Sequence, residues 1–182
     1  MQRAFTLIEI VIVIGLFAIM VLGIAQLYIV FGRVITMQSS SISVTLGGSA
    51  IVDTVRVAGL QAAHVVQSHT FSGVSYNSGT TTAIFELPAI DASGAIIVGT
   101  FDYVGIYVSS TTVYRTVDAA VGSSRTSGTK VLTDSLGALT FTYDTASFPS
   151  VTSVIVDATT SAVVKGQTTQ MHLRSHTYLR NL

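Results

Sequence analysis

Cysteine is absent from the 182-residue chain, and charged side chains are scarce. Without cysteine the fold relies on neither disulfide bonds nor thiol chemistry, although this absence says nothing about the cellular compartment. Nine Lys and Arg residues balance nine Asp and Glu residues, and together they make up only 10% of the chain. Because nucleic-acid binding depends on a basic surface, this composition argues against a nucleic-acid partner.

Charge is missing altogether from residues 10–32, a run of 23 residues that also lacks proline. A helix of this length extends about 34 Å, which is enough to cross a bilayer core of roughly 30 Å. Arg3 precedes the run and Arg33 follows it. Flanking charge therefore orients the segment poorly in a membrane.

Two ordinary interpretations compete for this apolar run. A plain transmembrane anchor accounts for its length and its apolarity. A secretory signal peptide would use residues 10–22 as its apolar region and the small-x-small pattern Gly23-Ile24-Ala25 as a cleavage site, which would release a secreted domain after Ala25. Against the signal peptide, the apolar run continues to Phe31, and Glu9 places an acid where such peptides carry positive charge.

The segment Ala4-Phe5-Thr6-Leu7-Ile8-Glu9, directly before the apolar run, is more specific than the run itself. A carboxylate at the edge of a membrane-spanning helix is costly, so Glu9 is a functional candidate on physical grounds alone. A short leader, a small residue followed by Phe5, and a Glu four positions later together resemble the N-terminal signature of type IV pilin-like proteins. That family includes the pseudopilins of type II secretion.

The resemblance implies a processing site and an assembly residue. A prepilin peptidase would cleave between Ala4 and Phe5 and methylate the new amino group of Phe5. Glu9 would then face the Phe5 amine of a neighbouring subunit and set the register of the helices in a filament. Such a pair offsets the desolvation of both charges only in the correct stagger. The open alternative is that Glu9 simply extends to the membrane interface. Ala4 stands where the family usually has Gly.

Beyond Arg33, apolar and small residues recur at steps of three and four, which predicts an amphipathic helix. This stripe consists of Val44, Gly48, Ile51, Val55, Ala58, Ala62 and Val65. We expect one helix from about Phe5 to about Gln67. The weak helix formers at 39–41 and 47–48 leave a bend, or a flexible linker, as the alternative.

From residue 68 onward, short β-type runs alternate with turn residues, which predicts about six or seven strands. A strand at 82–87 is expected to stop at Pro88, and residues 101–108 and 112–117 are expected to form a hairpin. Residues 139–143 and 151–157 read as further strands, followed by a terminal strand with a basic outer face. The polar residues 123–128 predict a mobile loop.

These patterns, taken with the resemblance, predict an α+β, pilin-like fold with a long N-terminal α-helix packed on an antiparallel β-sheet. The expected organisation is a leader peptide at 1–4 and a transmembrane or filament-core helix at 5–32. An amphipathic continuation of the helix at 33–67 and an extracytoplasmic β-rich domain at 68–182 would follow.

Catalytic and metal-binding motifs are weak, and we expect no catalytic residues, no metal and no cofactor. His172 and His176 share a face but lack a third ligand, so exposed strand residues are the preferred interpretation. The chain contains no G-x-S-x-G motif, and the glycine spacing at 122–130 is wrong for a phosphate loop. Asp91, Ser93 and Gly94 predict a turn rather than half of a calcium loop.

The sequence thus predicts a structural subunit, a minor pilin or pseudopilin, and not an enzyme. The resemblance implies as partners the prepilin peptidase, other pilin or pseudopilin subunits, an inner-membrane assembly platform and membrane lipid. It places the chain in the cytoplasmic membrane as a single-pass protein with an extracytoplasmic C-terminal domain, and on the cell surface or in the periplasm when assembled. A membrane-anchored adhesion or binding module that never polymerises is the alternative.

Overall fold

The computed structural model describes residues 6–180, which form one long helix followed by ten β-strands. The helix α1 extends over Leu7–Gln61. The strands are β1 (His64–Val65), β2 (Ser68–Phe71), β3 (Val74–Asn77), β4 (Thr82–Ile90), β5 (Ile96–Ser109), β6 (Thr112–Asp118), β7 (Gly128–Thr133), β8 (Leu136–Tyr143), β9 (Ser153–Val164) and β10 (Gln167–Tyr178). A short 3-10 helix, Phe148–Ser150, precedes β9. The described residues divide into two units, one ending at Ser40 and one beginning at Ser41.

The second unit contains the helical stripe that the residue spacing predicts. Val44, Ile51 and Val55 are fully buried, and Ala58 is nearly so. They share one hydrophobic core with strand residues such as Phe85. Each large aliphatic side chain buried in this way contributes about 1.5–3 kcal/mol. The expected α+β architecture, a long helix packed on antiparallel strands, is confirmed.

Glycines in α1 allow the helix to approach the strands closely. A Cβ atom at Gly47 would overlap the side chain of Thr133, and one at Gly59 would lie 2.6 Å from a methyl carbon of Thr177. A Cβ atom at Gly48 would lie 3.0 Å from a methyl carbon of Leu173. Residues 39–41 and 47–48 are all helical, so the expected continuous helix is present there and the alternative of a flexible linker is wrong. The pair Gly47–Gly48 provides space for packing.

The helix ends six residues earlier than its apolar spacing suggests, at Gln61 and not near Gln67. The amide of Ala63 donates to the carbonyl oxygen of Glu86 at 2.9 Å, and Val65 then pairs with Phe85 in β1. Ala62 and Val65 are buried as predicted. They satisfy helical spacing only by coincidence, because backbone pairing with β4 replaces the next helical turn.

The strands of residues 6–180 form three antiparallel sheets, and this corrects the expected six or seven strands. Five strands are ordered β1-β4-β5-β6-β7, three are ordered β10-β9-β8, and β2 pairs with β3. The hairpin of β5 and β6 and the alternation along β8 are as predicted. The extra strands are short, and a strand of two or four residues carries too little periodicity to be recognised in a sequence.

Pro88 does not stop β4, which continues to Ile90. The neighbouring strand β1 pairs only with Phe85 and Glu86, so the backbone nitrogen of Pro88 needs no partner on that side. A β-bulge lies between Pro88 and Ile90. Proline is tolerated at such edge and bulge positions because it removes no ladder hydrogen bond there.

The hairpin of β2 and β3 contributes aromatic rings that pack with those of β5 and β6. The ring of Phe71 lies against Gly105, where a Cβ atom would be only 2.8 Å from it. His69 stacks on Tyr103 with ring centroids 3.8 Å apart, and Tyr107 stacks on Tyr114 at 5.4 Å. Burial, together with a hydrogen bond that its hydroxyl donates to Tyr76, raises the pKa of Tyr107 to about 12. The tyrosines therefore pack on the sheet.

The polar loop after β6 is anchored by a buried ion pair, although its composition predicted mobility. Asp102 is fully buried in β5, and its Oδ2 accepts hydrogen bonds from Nη1 of Arg125 at 2.6 Å and from Ser123 at 2.7 Å. Arg125 Nη1 also donates to the carbonyl oxygen of Pro88 at 2.8 Å. The loop amide of Ala120 donates to the other carboxylate oxygen of Asp102 at 2.7 Å. One carboxylate therefore holds both ends of the loop.

Replacing Asp102 tests the importance of this pair. Asp102→Ala leaves the guanidinium of Arg125 unpaired in a site where it is only 17% exposed, so the domain should lose about 3–5 kcal/mol of unfolding free energy. Asp53→Ala is the matched control, because the Asp53–Arg56 pair is 3.6 Å apart and exposed on both sides. It should cost at most about 0.5 kcal/mol. Urea unfolding of the full chain in lipid nanodiscs, followed by circular dichroism, measures both. Equal losses would contradict the assigned role.

Tyr143 in β8 links the three-stranded sheet to the start of β4. Its hydroxyl lies 3.0 Å from the carbonyl oxygen of Thr82 and 3.2 Å from that of Gly79. Burial raises the pKa of Tyr143 well above its usual value of 10. The phenol therefore stabilises the fold as long as it is neutral. This contribution is complete below about pH 10, the pKa of an unfolded tyrosine, and is lost as the pH rises further.

The variant Tyr143→Phe should separate the stability contributed by the hydroxyl's hydrogen bonds from the stability lost when the hydroxyl ionises. At pH 8 it should lose about 1 kcal/mol of unfolding free energy, because the hydroxyl's hydrogen bonds are gone. Between pH 8 and pH 11 it should lose less stability than the wild type, since no phenol remains to ionise at that position. Tyr178→Phe, at a side chain that is 65% exposed, is the control. If Tyr143→Phe loses as much unfolding free energy between pH 8 and pH 11 as the wild type does, ionisation of buried Tyr143 is not the cause of the alkaline loss.

Candidate functional site

The first unit of the described chain is an apolar helix whose side chains have no partner within that unit. All large apolar side chains between Leu7 and Phe31 are exposed, from 46% at Val21 to 83% at Tyr28. The most apolar window of α1 has a mean hydropathy of 3.0, and none of it is buried. Among the described residues, α1 is the one helix long and apolar enough to cross a membrane. This surface requires lipid or other apolar helices around it.

The helix begins with a capping box formed by Thr6 and Glu9. Glu9 Oε2 accepts hydrogen bonds from the amide of Thr6 at 2.8 Å and from its hydroxyl at 3.0 Å. In return, the amide of Glu9 lies 3.4 Å from Thr6 Oγ1 and 3.1 Å from the Thr6 carbonyl oxygen. These contacts satisfy backbone donors that the first turn of a helix otherwise leaves unpaired.

Sequence reasoning missed this cap, although its signal is visible. Thr6-Leu7-Ile8-Glu9 has the T-x-x-E spacing of a capping box, followed at once by an apolar run. Glu9 thus has a local role besides the one that the resemblance implies. Both roles are compatible, because a carboxylate has two oxygens and only Oε2 makes the contacts to Thr6.

The predicted processing residues Ala4 and Phe5 lie outside the described residues, so the structure shows no geometry for them. Glu9 lies in the first turn of α1 and is exposed. Its predicted role in register stays a prediction. An acid in the first turn of a helix also interacts favourably with the helix dipole.

The weaker candidates from the sequence have structural explanations. Nε2 of His172 lies 2.5 Å from Oδ1 of Asp157 on the neighbouring strand β9, and the ring of His176 packs beside Tyr178 at 4.4 Å. Residues 6–180 contain no group of three or more His, Asp or Glu side chains that could hold a metal ion. The basic outer face of β10 is as predicted, with His172, Arg174 and His176 exposed.

Asp91 forms the predicted turn. Its Oδ1 accepts hydrogen bonds from the amide of Ser93 at 2.8 Å, the hydroxyl of Ser93 at 2.6 Å and the amide of Ala95 at 2.9 Å. The Ser93 hydroxyl, followed by the Ala95 amide, lowers the pKa of this carboxyl below its ordinary value. The carboxylate is therefore engaged in closing the β4–β5 turn.

Comparison with known protein families identifies the N-terminal segment. Residues 1–25 match the family described as the prokaryotic N-terminal methylation motif. This is the prepilin-type signature of type IV pilins and pseudopilins, and the resemblance on the N-terminal residues is confirmed. Neither the curated proteins nor the solved structures that were compared with the chain gave a match.

The motif and the helix together define the class of function. They support a type IV pilin-like or pseudopilin protein, which suggests a structural subunit rather than an enzyme. The signature implies processing by a prepilin peptidase and assembly with other pilins. An apolar N-terminal helix that carries this motif fits membrane anchoring and an extracytoplasmic filament.

Proposed function

We propose that the protein is a minor pilin or pseudopilin, a structural subunit of a type IV pilus-like or type II secretion filament. The observation that carries the proposal is the coincidence of two features in residues 1–31. They carry the prepilin-type motif, and from Leu7 onward every large apolar side chain is exposed. The choice of a minor subunit rests on the missing C-terminal cysteine pair and on the missing calcium loop.

In the proposed assembly pathway, the subunit is first inserted into the cytoplasmic membrane. The leader at 1–4 is removed between Ala4 and Phe5, and the amino group of Phe5 is methylated. Residues 5–32 then anchor the chain in lipid, with the C-terminal domain outside the cytoplasm. An assembly platform in the membrane extracts the subunit into a filament, where the same apolar surface contacts other helices. The exposed apolar surface thus passes from lipid to protein without facing water.

Glu9 would control the alignment of neighbouring helices. A carboxylate in the middle of a bilayer costs on the order of 2.5–3.5 kcal/mol, and the amino group of processed Phe5 offers an opposite charge. In a filament that charge belongs to a neighbouring subunit. An ion pair at low dielectric is favourable only when both groups meet with good geometry, so incorrect staggers of the helices are disfavoured.

The capping box allows the charge of Glu9 to be tested separately from its role as a cap. Glutamine is also accepted at the fourth position of a capping box, so Glu9→Gln removes the charge and retains the cap. Thr6→Ala retains the charge of Glu9 and removes the capping hydroxyl, at a cost of about 1 kcal/mol to the first turn of the helix. Glu9→Ala removes both features.

We expect all three variants to insert into the membrane and to resist extraction with carbonate. Glu9→Gln and Glu9→Ala should be incorporated into filaments at least about tenfold less than the wild type, because an amine left buried without its partner costs about 3–5 kcal/mol. Thr6→Ala should be incorporated nearly normally. The measurement is the amount of subunit in sheared or periplasmic filaments, relative to the amount in the membrane, in cells that assemble them.

Two outcomes would overturn the role assigned to Glu9, and a third would overturn the filament function. Normal incorporation of Glu9→Gln would show that the charge does not set the register. Equal loss in Thr6→Ala and Glu9→Gln would assign the effect to the first turn of the helix. Absence of the wild-type chain from all filaments would favour the second candidate, a membrane-anchored module that does not polymerise.

A further inference from the structure

A cleft in the second unit lies between α1 and the five-stranded sheet. It has a volume of about 290 Å³. Its walls are apolar and come from both sides, with Val57 and Ala58 on the helix and with Leu87, Val104 and Leu132 on the strands. Ligand sites in proteins typically measure roughly 300–1,000 Å³ and combine apolar walls with a few polar groups. The cleft lies at the lower limit of this range, which restricts it to a small ligand.

The polar groups at this cleft are mainly cationic. Arg115, Arg125 and Lys130 line it, together with Asp53, Thr54 and Gln61. Arg125 is neutralised by Asp102, and Asp53 pairs with Arg56 at 3.6 Å. Within residues 6–180, no carboxylate lies within 4.0 Å of the charged atoms of Arg115 or Lys130. Two positive charges are therefore unbalanced at the cleft.

These two charges are also direct neighbours across the sheet. Arg115 in β6 is the backbone partner of Lys130 in β7, so both side chains leave the same face of the sheet. Like charges that lie directly opposite each other on antiparallel strands destabilise the pair. Folding alone does not favour this arrangement. An anion between the two side chains would convert the repulsion into two favourable contacts, as charge-assisted hydrogen bonds to arginine and lysine do elsewhere.

We propose that this cleft binds a small amphipathic anion, a carboxylate attached to a compact apolar group. The carboxylate lies between Arg115 and Lys130. The apolar group lies against Val57 and Leu132. The guanidinium of Arg125 keeps its bonds to Asp102, to Pro88 and to Gln61 Oε1 at 3.1 Å, and so forms a fixed end of the cleft. The site is independent of the N-terminal motif and goes beyond the proposed filament function.

The binding test uses the full chain in lipid nanodiscs and 4-(4-fluorophenyl)butanoate as the probe, observed by fluorine NMR. Empty nanodiscs correct for partition of the probe into lipid. Two further probes separate the parts of the ligand. The corresponding alcohol, 4-(4-fluorophenyl)butan-1-ol, retains the apolar group without the charge, and acetate retains the charge without the apolar group. Saturable binding of the fluorinated acid, and much weaker binding of the alcohol and of acetate, is the expected result.

The variants Arg115→Gln and Lys130→Gln should each weaken binding of the acid about tenfold or more, because each removes a charge-assisted contact. Arg174→Gln and Lys165→Gln are the matched controls, since they remove one charge each from β10 and from the turn before it. The ligand-free Arg115→Gln and Lys130→Gln variants should unfold at the same temperature as the wild type or at a higher one, because each removes a repulsion.

The proposal is overturned if the acid shows no saturable binding, or if the alcohol or acetate binds as well as the acid. It is also overturned if the control variants weaken binding as much as Arg115→Gln and Lys130→Gln do. A lower unfolding temperature in these two variants, with unchanged affinity for the acid, would assign both residues to the stability of the sheet instead.

Discussion

The rest of this protein depends on the need to cover one apolar surface. The large apolar side chains from Leu7 to Phe31 are exposed, and none of the most apolar window of the helix is buried. At about 25 cal/mol per Å² of apolar surface, a helix of this kind cannot remain in water. In the proposed function, lipid covers it in a membrane, and other helices of the same kind cover it in a filament. The C-terminal half of the same helix has the opposite character, because its stripe is buried by the strands of its own domain.

Glu9 lies in the first turn of α1, at the start of this apolar surface. Within the chain its Oε2 caps the helix through Thr6, which gives the carboxylate a local partner and lowers the cost of its position near lipid. A contact to a neighbouring amine would use the remaining acceptor capacity of the same group. The cap holds the carboxylate near the start of the helix, in the direction of the predicted new N-terminus. This arrangement would allow one residue to cap its own helix and, in the proposed filament, to pair with a neighbouring subunit.

Sequence patterns predicted what depends on local spacing. The buried stripe from Val44 to Ala58, the turn at Asp91 and the methylation motif are of this kind, and all are confirmed. Features that depend on distant partners were not predicted. The end of α1 is set by pairing with β4, and the loop after β6 is held by the Asp102–Arg125 pair, which no spacing rule connects. Arg115 and Lys130 lie opposite each other because of the register between β6 and β7. A β-bulge shifts this register, so it cannot be read from the sequence. Cleavage at Ala4, methylation of Phe5 and the register role of Glu9 remain predictions, because chemistry after synthesis and contacts between subunits lie outside a single chain.

The intact mass of the mature chain, purified from its own membrane, tests the account most directly. We expect the mass of residues 5–182 plus one methyl group, with Phe5 as the N-terminal residue. This result would mean that the apolar helix begins with the charged amine that Glu9 requires in a neighbouring subunit. A chain that still begins at Met1 would contradict the account and support a simple anchor. A product that begins at Gln26 would contradict it as well, because the apolar helix would have been removed with a signal peptide.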